Sequence, residues 1–254
     1  MNAMGTQNTH RSRAGSGLAA MPVLEAFEEA VTPDCCPLCS LEARSEEAAV
    51  CRLLGEDLMD PGFRSRLART GLCRHHVQRL LAGRDRLGTA LVLLELVRHG
   101  RRQLSGVAGE GSETRTAGSI PETGVYQDCL VCAEVREAMA RYARTVAALY
   151  RDDAAFRQRL AGHDGICLPH AALLVHQSSA ELPPALRPAF RQAVLNRLAG
   201  GLERLEAELA WFVQKFDYRY READWKGTQN APDRAAARLW GRSPGVRQHR
   251  TAGQ

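Results

Sequence analysis

The sequence lacks the continuous run of about 18 apolar residues that a membrane-spanning helix needs, so no membrane span is expected. The N-terminal region contains arginines but no apolar core of signal-peptide length, which argues against secretion. The alternation of β-branched and polar residues that is typical of strands is essentially missing as well. From these three absences we predict a cytoplasmic, all-α protein.

Lysine is nearly missing too. It occurs only at Lys215 and Lys226, although the 254-residue chain has 34 basic residues and a net charge of +5. A basic, arginine-rich chain can indicate nucleic-acid binding. Here the arginines are interspersed with Asp and Glu, and Arg and Ala are abundant throughout. The pattern favours a biased composition, and a nucleic-acid-associated factor stays the weaker alternative.

Signatures of catalysis are also missing. The sequence has no phosphate-cradling glycine loop, no H-E-x-x-H and no nucleophile elbow, so it does not favour an enzyme. What it does have is eight cysteines. Without a signal peptide, these indicate metal or redox chemistry rather than disulfides.

The cysteines belong to an internal repeat. Cys36-Pro-Leu-Cys39 aligns with Cys129-Leu-Val-Cys132 at an offset of 93 positions, and the same offset places "DPGFRSRLA" (60–68) on "DAAFRQRLA" (153–161). After one extra residue in the second copy, "GLCRHH" (71–76) aligns with "GICLPH" (165–170). Each copy therefore contains a C-x-x-C followed by a C-x-x-H, and no other cysteine or histidine has a counterpart.

This spacing predicts metal ligation. Each motif lies at an expected helix start, where unpaired N–H groups and the helix dipole stabilise thiolates. Two such motifs supply three thiolates and one imidazole, which form a closed tetrahedral shell for zinc without an open coordination position. The predicted ligands of two zinc ions per chain are Cys36, Cys39, Cys73, His76, Cys129, Cys132, Cys167 and His170.

Two questions stay open at this point. Pairing within each copy is the simpler arrangement, which gives Cys36, Cys39, Cys73 and His76 in one site and the other four ligands in the second; a swapped pairing is the alternative. The same ligands also suit an iron–sulfur cluster, or a thiol-based redox protein that uses Cys35 as a resolving thiol. His75 is set aside in favour of His76, because Pro169 occupies its place in the second copy. Cys51 is expected to be a buried small apolar residue.

The remaining sequence predicts helices and short connections. Pro37 and Pro61 suit first helical turns, and Asp60 suits the N-cap position. Further helices are expected at each C-x-x-H, over 87–104 and over 232–240. The predicted organisation is a disordered tail (1–20), a first helical repeat (21–104), a flexible linker (105–124), a second repeat (125–216), an aromatic C-terminal cap (217–242) and a disordered tail (243–254).

Two segments of the sequence suggest apolar contacts, either within the fold or with another chain. Leu198, Leu202, Leu205, Leu209, Phe212 and Phe216 form a heptad seam over 198–216, which favours a core helix and has homodimerisation as its alternative. The aromatic segment favours a cap over the repeats, with a protein-binding surface as the alternative. The candidate surface residues are Tyr218, Tyr220, Trp225 and Trp240.

The duplicated motifs, the two "D-x-x-F-R-x-R-L" stretches and "FDYRY" after a long helix resemble a family of bacterial proteins known only as a domain of unknown function. The resemblance covers roughly residues 30–242, and Leu130 departs from it where the first copy has Pro37. It implies the all-α metal-stapled architecture and a cytoplasmic location but no activity. We therefore predict a non-catalytic, metal-binding protein that acts through a partner.

Overall fold

Helices make up most of the described part of the chain, and the absence of strands there agrees with the missing strand pattern. The computed structural model describes residues 11–32, 34–107, 129–162 and 165–241, and within these ranges no residue lies in a strand. None of the helices there is both long and apolar enough to cross a lipid bilayer. The α-helices are α1 (Arg11–Glu29), α2 (Pro37–Leu54), α3 (Pro61–Thr70), α4 (Arg74–Ala82), α5 (Arg86–Val107), α6 (Leu130–Asp152), α7 (Ala154–Gly162), α8 (Leu168–Glu181), α9 (Arg187–Gln214) and α10 (Ala231–Trp240), with 3₁₀ helices at Glu56–Met59 and Tyr218–Tyr220.

Helix starts follow the expected local signals. Helix α2 begins at Pro37 and α3 at Pro61. The Asp60 carboxylate caps α3 by accepting two backbone N–H hydrogen bonds, at 3.1 and 2.9 Å. Asp153 does the same before α7, at 2.8 and 3.2 Å. The cap predicted at Asp60 is confirmed, and the short helices α3 and α7 each begin at a fixed residue.

The chain divides into two compact units. The first, here called the split unit, consists of Met1–Ala43 and Met139–Gln254; the second, here called the central unit, is Arg44–Ala138. The boundaries fall inside α2 and α6. They do not coincide with the predicted repeats over 21–104 and 125–216, because each unit contains residues from both copies.

The core of the central unit surrounds the start of α6. Leu53, Leu67 and Val92, which come from three different helices, are almost completely buried. Cys129 and Leu130 belong to the same apolar cluster. The start of α6, which carries the second C-x-x-C, is therefore fixed by apolar packing.

The core of the split unit forms around edge-to-face aromatic pairs. The rings of Phe27 and Phe156 lie 5.1 Å apart, and those of Tyr150 and Phe190 lie 5.0 Å apart. Such pairs add about 0.5–1.5 kcal/mol each to the stabilisation from burial. Together they join α1 to α7 and α6 to α9 within this unit.

The heptad seam takes part in this core only over its first half. Leu198 and Leu205 of α9 are buried, as the core-helix interpretation expects. Helix α9 ends at Gln214, so Phe216 lies outside the helix and is 75% exposed. The seam thus loses its helical register before its last position.

Several predicted boundaries differ from the structure or lie outside it. Residues 11–20 belong to α1 rather than to a disordered tail, and residues 1–10 lie outside the described part. Helix α5 continues to Val107, so only 108–124 of the predicted linker is left, and this segment also lies outside the described residues, as does the tail over 243–254. Propensity alone did not indicate α1, which is held by buried residues such as Val23 and Phe27.

The capping carboxylates give a first prediction. Asp60→Ala and Asp153→Ala should each lower the free energy of unfolding by about 1 kcal/mol, because two backbone N–H groups lose their acceptor. Urea denaturation followed by circular dichroism measures this loss. The exposed Glu137→Ala is the control and should change stability by less than about 0.5 kcal/mol. Equal effects of all three substitutions would contradict the capping roles.

Candidate metal centres

The split unit brings four predicted ligands together. Cys36 directly precedes α2, Cys39 lies in its first turn, Cys167 is the N-cap of α8 and His170 lies in the first turn of α8. Nδ1 of His170 is 3.6, 3.5 and 3.1 Å from the sulfurs of Cys36, Cys39 and Cys167, and the sulfurs of Cys39 and Cys167 are 3.7 Å apart. All four residues are buried. They form a compact Cys₃His group that could hold a metal ion.

The central unit contains a second group of the same composition. Cys73 is the N-cap of α4, His76 lies in the first turn of α4, Cys129 directly precedes α6 and Cys132 lies in its first turn. Nδ1 of His76 is 3.1, 3.3 and 3.5 Å from the sulfurs of Cys73, Cys129 and Cys132, and the sulfurs of Cys73 and Cys132 are 3.8 Å apart. All eight predicted ligands therefore lie in two candidate centres.

The predicted pairing of the two motifs within each copy is wrong. The structure has the swapped arrangement. Each C-x-x-C meets the C-x-x-H of the other copy. In the central unit, the N–H of Leu130 donates to the carbonyl of Gly71 at 3.0 Å, which holds the start of α6 beside the start of α4. Chain connectivity made the local pairing look simpler, but contacts between residues distant in sequence determine which helix starts meet.

The pKa values show why these groups suit a cation. Burial raises the pKa of Cys36, but hydrogen bonds with the Cys167 and Cys39 thiols and the adjacent His170 outweigh it, and the pKa falls well below that of an ordinary thiol. Hydrogen bonds with the Cys36 and Cys39 thiols, together with burial, raise the pKa of Cys167. Three thiolates in one buried group would therefore repel each other, and a dication bound there would offset that repulsion.

In the central unit, too, one thiol has a raised pKa and another has a lowered pKa. Burial and the neighbouring Cys129 raise the pKa of Cys132 to about 12. Burial also raises the pKa of Cys73, but backbone N–H groups at the start of α4 outweigh it, and the net pKa is lowered. This is the stabilisation of a thiolate by a helix start that the motif predicts.

A carboxylate lies beside the Nε2 atom of both histidines. Each imidazole presents Nδ1 to the sulfurs, which leaves Nε2 for another partner. Nε2 of His76 is 2.9 Å from the carboxylate of Glu46, which is only 3% exposed and also pairs with Arg79. Nε2 of His170 is 3.6 Å from the partly exposed Glu42. Carboxylates in this position fix the orientation and tautomer of a ligating histidine.

Sequence reasoning missed both carboxylates. Glu42 and Glu46 follow the first C-x-x-C one helical turn apart in α2, but each serves the histidine of a different centre. Glu46, His75 and His76 also form a compact group of their own. Because Nδ1 of His76 faces the sulfurs, this group acts as the support of the central-unit centre.

The other cysteines and His75 stay outside both Cys₃His groups. Nε2 of His75 lies 3.1 Å from the Glu46 carboxylate, so choosing His76 over His75 agrees with the geometry. Cys35 is half-buried and accepts a hydrogen bond from the Thr32 hydroxyl at 3.0 Å. Cys51 is exposed, and the prediction that it is buried is wrong because it faces outward on α2.

The aromatic segment contains both packed and exposed rings. Lys215, at the end of α9, is only 6% exposed, and its ammonium donates to the carbonyls of Tyr220, at 2.8 Å, and of Arg221, at 2.7 Å. Trp225 is half-buried against the ring of Phe212. In contrast, Tyr218 and Trp240 are 86% and 75% exposed.

Comparison with known proteins identifies the family but no activity. The model of a family of unknown function, DUF6062, matches residues 16–245, so the chain belongs to this family. No curated protein and no solved structure matches the chain. The resemblance to an uncharacterised family is therefore confirmed.

The swapped pairing predicts the metal content of double variants. Cys39→Ser/Cys167→Ser should remove one centre and leave the other filled, because both ligands belong to the same group. Cys39→Ser/Cys73→Ser should remove both centres. Pairing within each copy predicts the opposite pattern. Metal analysis of the folded fraction after gel filtration measures the outcome.

Two controls accompany these variants. Cys35→Ser and Cys51→Ser should keep the full metal content, because neither thiol belongs to a Cys₃His group. Loss of metal in either control would show that the ligand sets are incomplete.

Proposed function

We propose that this member of the DUF6062 family is a non-catalytic zinc-binding protein, in which two zinc ions join helix starts that are distant in sequence and stabilise a surface for a protein partner. The observation that carries the proposal is the spacing of the ligand atoms. Zinc binds sulfur at about 2.3 Å and imidazole nitrogen at about 2.0–2.1 Å. Tetrahedral angles then place two sulfurs about 3.8 Å apart and a sulfur about 3.6 Å from the nitrogen.

The observed distances support this geometry. The sulfurs of Cys39 and Cys167 lie 3.7 Å apart and those of Cys73 and Cys132 lie 3.8 Å apart, and the sulfur–Nδ1 distances range from 3.1 to 3.6 Å. An iron–sulfur cluster distributes its protein ligands over several iron atoms. Ligands of different irons lie farther apart than ligands of one ion. Because all four ligand atoms of each group lie within 4.8 Å of one another, a single ion fits better than a cluster.

The ligand set supports a structural role for the metal. Three thiolates and one imidazole complete a tetrahedral zinc shell, whereas catalytic zinc keeps a position for water or substrate. The split-unit centre is also fully buried. A closed shell of this kind leaves no coordination position for a reactive water or a substrate.

The fold explains what the metals contribute. Helices α4 and α7 have nine residues each, which is shorter than an isolated helix needs to be stable in water. Each centre ties helix starts that are far apart in sequence: the sulfurs of Cys39 and Cys167 belong to residues separated by 128 positions. Metal binding supplies folding free energy in such cases, because the unfolded chain has no preformed site.

The partner surface is proposed from the exposed aromatic residues. Tyr218 and Trp240 are largely exposed and Tyr220 is 37% exposed, whereas Trp225 supports the segment from inside. Exposed Tyr and Trp side chains are frequent energetic centres of protein interfaces. The alternative is that a second copy of this chain binds, through the end of the 198–216 seam, where Phe216 is exposed.

Metal analysis tests whether the protein binds structural zinc. Protein purified without oxygen should be colourless and contain two zinc ions per chain, one for each Cys₃His group. Chelation under reducing conditions should lower the melting temperature by roughly 10 °C or more, because structural zinc contributes several kcal/mol to folding. Brown protein with iron and sulfide would establish the cluster instead. A metal-free protein with unchanged stability would contradict metal binding altogether.

Quantitative affinity capture tests the proposed surface for a protein partner. Tyr218→Ser/Trp240→Ser should keep the melting temperature and metal content but reduce retention of a specific protein about 10-fold or more. Leu87→Ser, which also removes an exposed apolar side chain, is the control and should retain the protein fully. Sedimentation of both variants distinguishes a homodimer, and nuclease treatment distinguishes retention through nucleic acid. Equal retention by both variants would contradict the proposed surface.

A further inference from the structure

One arginine of α10 joins the two segments that carry the split-unit ligands. Nη1 of Arg238 donates to the carbonyl of Ile166 at 2.8 Å, directly before Cys167, and Nη2 lies 3.8 Å from Asp34, two residues before Cys36. Arg238 is only 4% exposed. The pKa of its guanidinium is lowered by burial and by the neighbouring Arg204, although Asp34 and the sulfurs of Cys36 and Cys167 favour the charged form.

The end of α10 lies directly against the metal ligands. A Cβ atom built on Gly241 would lie 3.8 Å from the sulfurs of both Cys39 and Cys167. Gly241 has φ +80° and ψ 168°, a backbone conformation that is essentially limited to glycine. The chain therefore passes over the sulfurs immediately after Trp240.

Arg238 belongs to a network of ion pairs around Asp34. Asp34 pairs with Arg204 at 3.4 Å, with Arg234 at 3.2 Å and with Arg238 at 3.8 Å. Both Arg204 and Arg234 also pair with Glu208. These pairs hold α10 and α9 to the segment before Cys36.

We propose that α10 is a metal-dependent cover of the split-unit centre, docked by Arg238, so that metal occupancy controls how Trp240 is held on the surface. The inference rests on the proposed zinc binding. The ion would join Cys36 to Cys167, and Arg238 contacts the segments that lead to these two cysteines. Without the ion the two segments are no longer held at a fixed spacing, so Arg238 cannot keep both contacts and α10 is released.

The coupling must act in both directions. If the ion stabilises the docked state of α10, docked α10 stabilises the bound ion by the same factor. Substitutions that disturb Arg238 should therefore weaken metal binding at the split-unit centre, although Arg238 is not a ligand. Changes in residues that support a ligand typically weaken metal binding by about 10- to 100-fold.

Two adjacent glycines of α9 provide a matched test. A Cβ atom on Gly201 would lie 3.0 Å from Cζ of Arg238, whereas a Cβ atom on Gly200 would meet nothing within 4 Å. Gly201→Ala should therefore displace the guanidinium, and Gly200→Ala should not. Arg238→Gln removes the charge directly and completes the set.

The experiment measures metal release and the mobility of α10 in the full-length protein. Gly201→Ala and Arg238→Gln should release one of two zinc ions to a chelator about 10-fold faster and increase hydrogen exchange in α10. The release of the other ion should not change. Gly200→Ala should resemble the unmodified protein. Cys132→Ser, which removes the central-unit centre, should leave α10 protected, whereas Cys39→Ser should expose it.

The outcomes separate this inference from the proposed function. If the protein contains no zinc, the proposed function fails before any variant is compared. If both ions bind but α10 has the same exchange in the filled protein, in Cys39→Ser and in Arg238→Gln, zinc binding stands and the cover is contradicted. Equal behaviour of Gly200→Ala and Gly201→Ala in both measurements would also overturn the role of Arg238.

Discussion

The repulsion between buried thiolates is the constraint on which the rest of the structure depends. Each centre places three sulfurs and one imidazole within 4.8 Å of one another. Without a cation, the thiols of such a group cannot all ionise, as the raised pKa of Cys132 shows. The starts of α2, α4, α6 and α8 bring these groups together, so each group could hold a metal cation.

The two centres have the same ligands but different surroundings. In the central unit, the buried Glu46 holds His76 and is itself held by Arg79. In the split unit, Glu42 lies 3.6 Å from Nε2 of His170, and Arg238 contacts the segments before the cysteines. Both centres therefore have a carboxylate of α2 beside the histidine, and the split-unit centre has in addition a cation from a helix near the end of the chain. Identical motifs thus acquire different dependences on the rest of the fold.

The sequence allowed the clustered cysteines and histidines to be predicted, because the duplication separates Cys36, Cys39 and their counterparts from unmatched residues such as Cys35. It also allowed the cap at Asp60 to be predicted, since an N-cap depends on local hydrogen bonds. The pairing of the motifs could not be predicted in the same way. A repeat gives the residue types at a helix start, but not which other helix start lies beside it.

The roles of the residues around the cysteines and histidines could not be predicted either, because they also depend on the folded structure. Glu46 and Arg238 look like ordinary charged residues on helices, and only burial and distance show their roles. Cys51 was misjudged because small residues occur on both faces of a helix, and helical periodicity is weak in α2. The roles of Glu46 and Arg238 depend on contacts between residues that are distant in sequence, whereas the Cys51 error concerns which face of α2 is buried.

The crossed pairing also affects how the chain can be divided. Either predicted repeat, taken alone, contains a C-x-x-C and a C-x-x-H but no complete centre in the observed arrangement. Two separate copies would have to exchange motifs to complete their metal shells, as in a domain-swapped dimer. Two copies in one chain would make that exchange an intramolecular event with a high effective concentration. Metal binding by the proposed centres would then be independent of protein concentration.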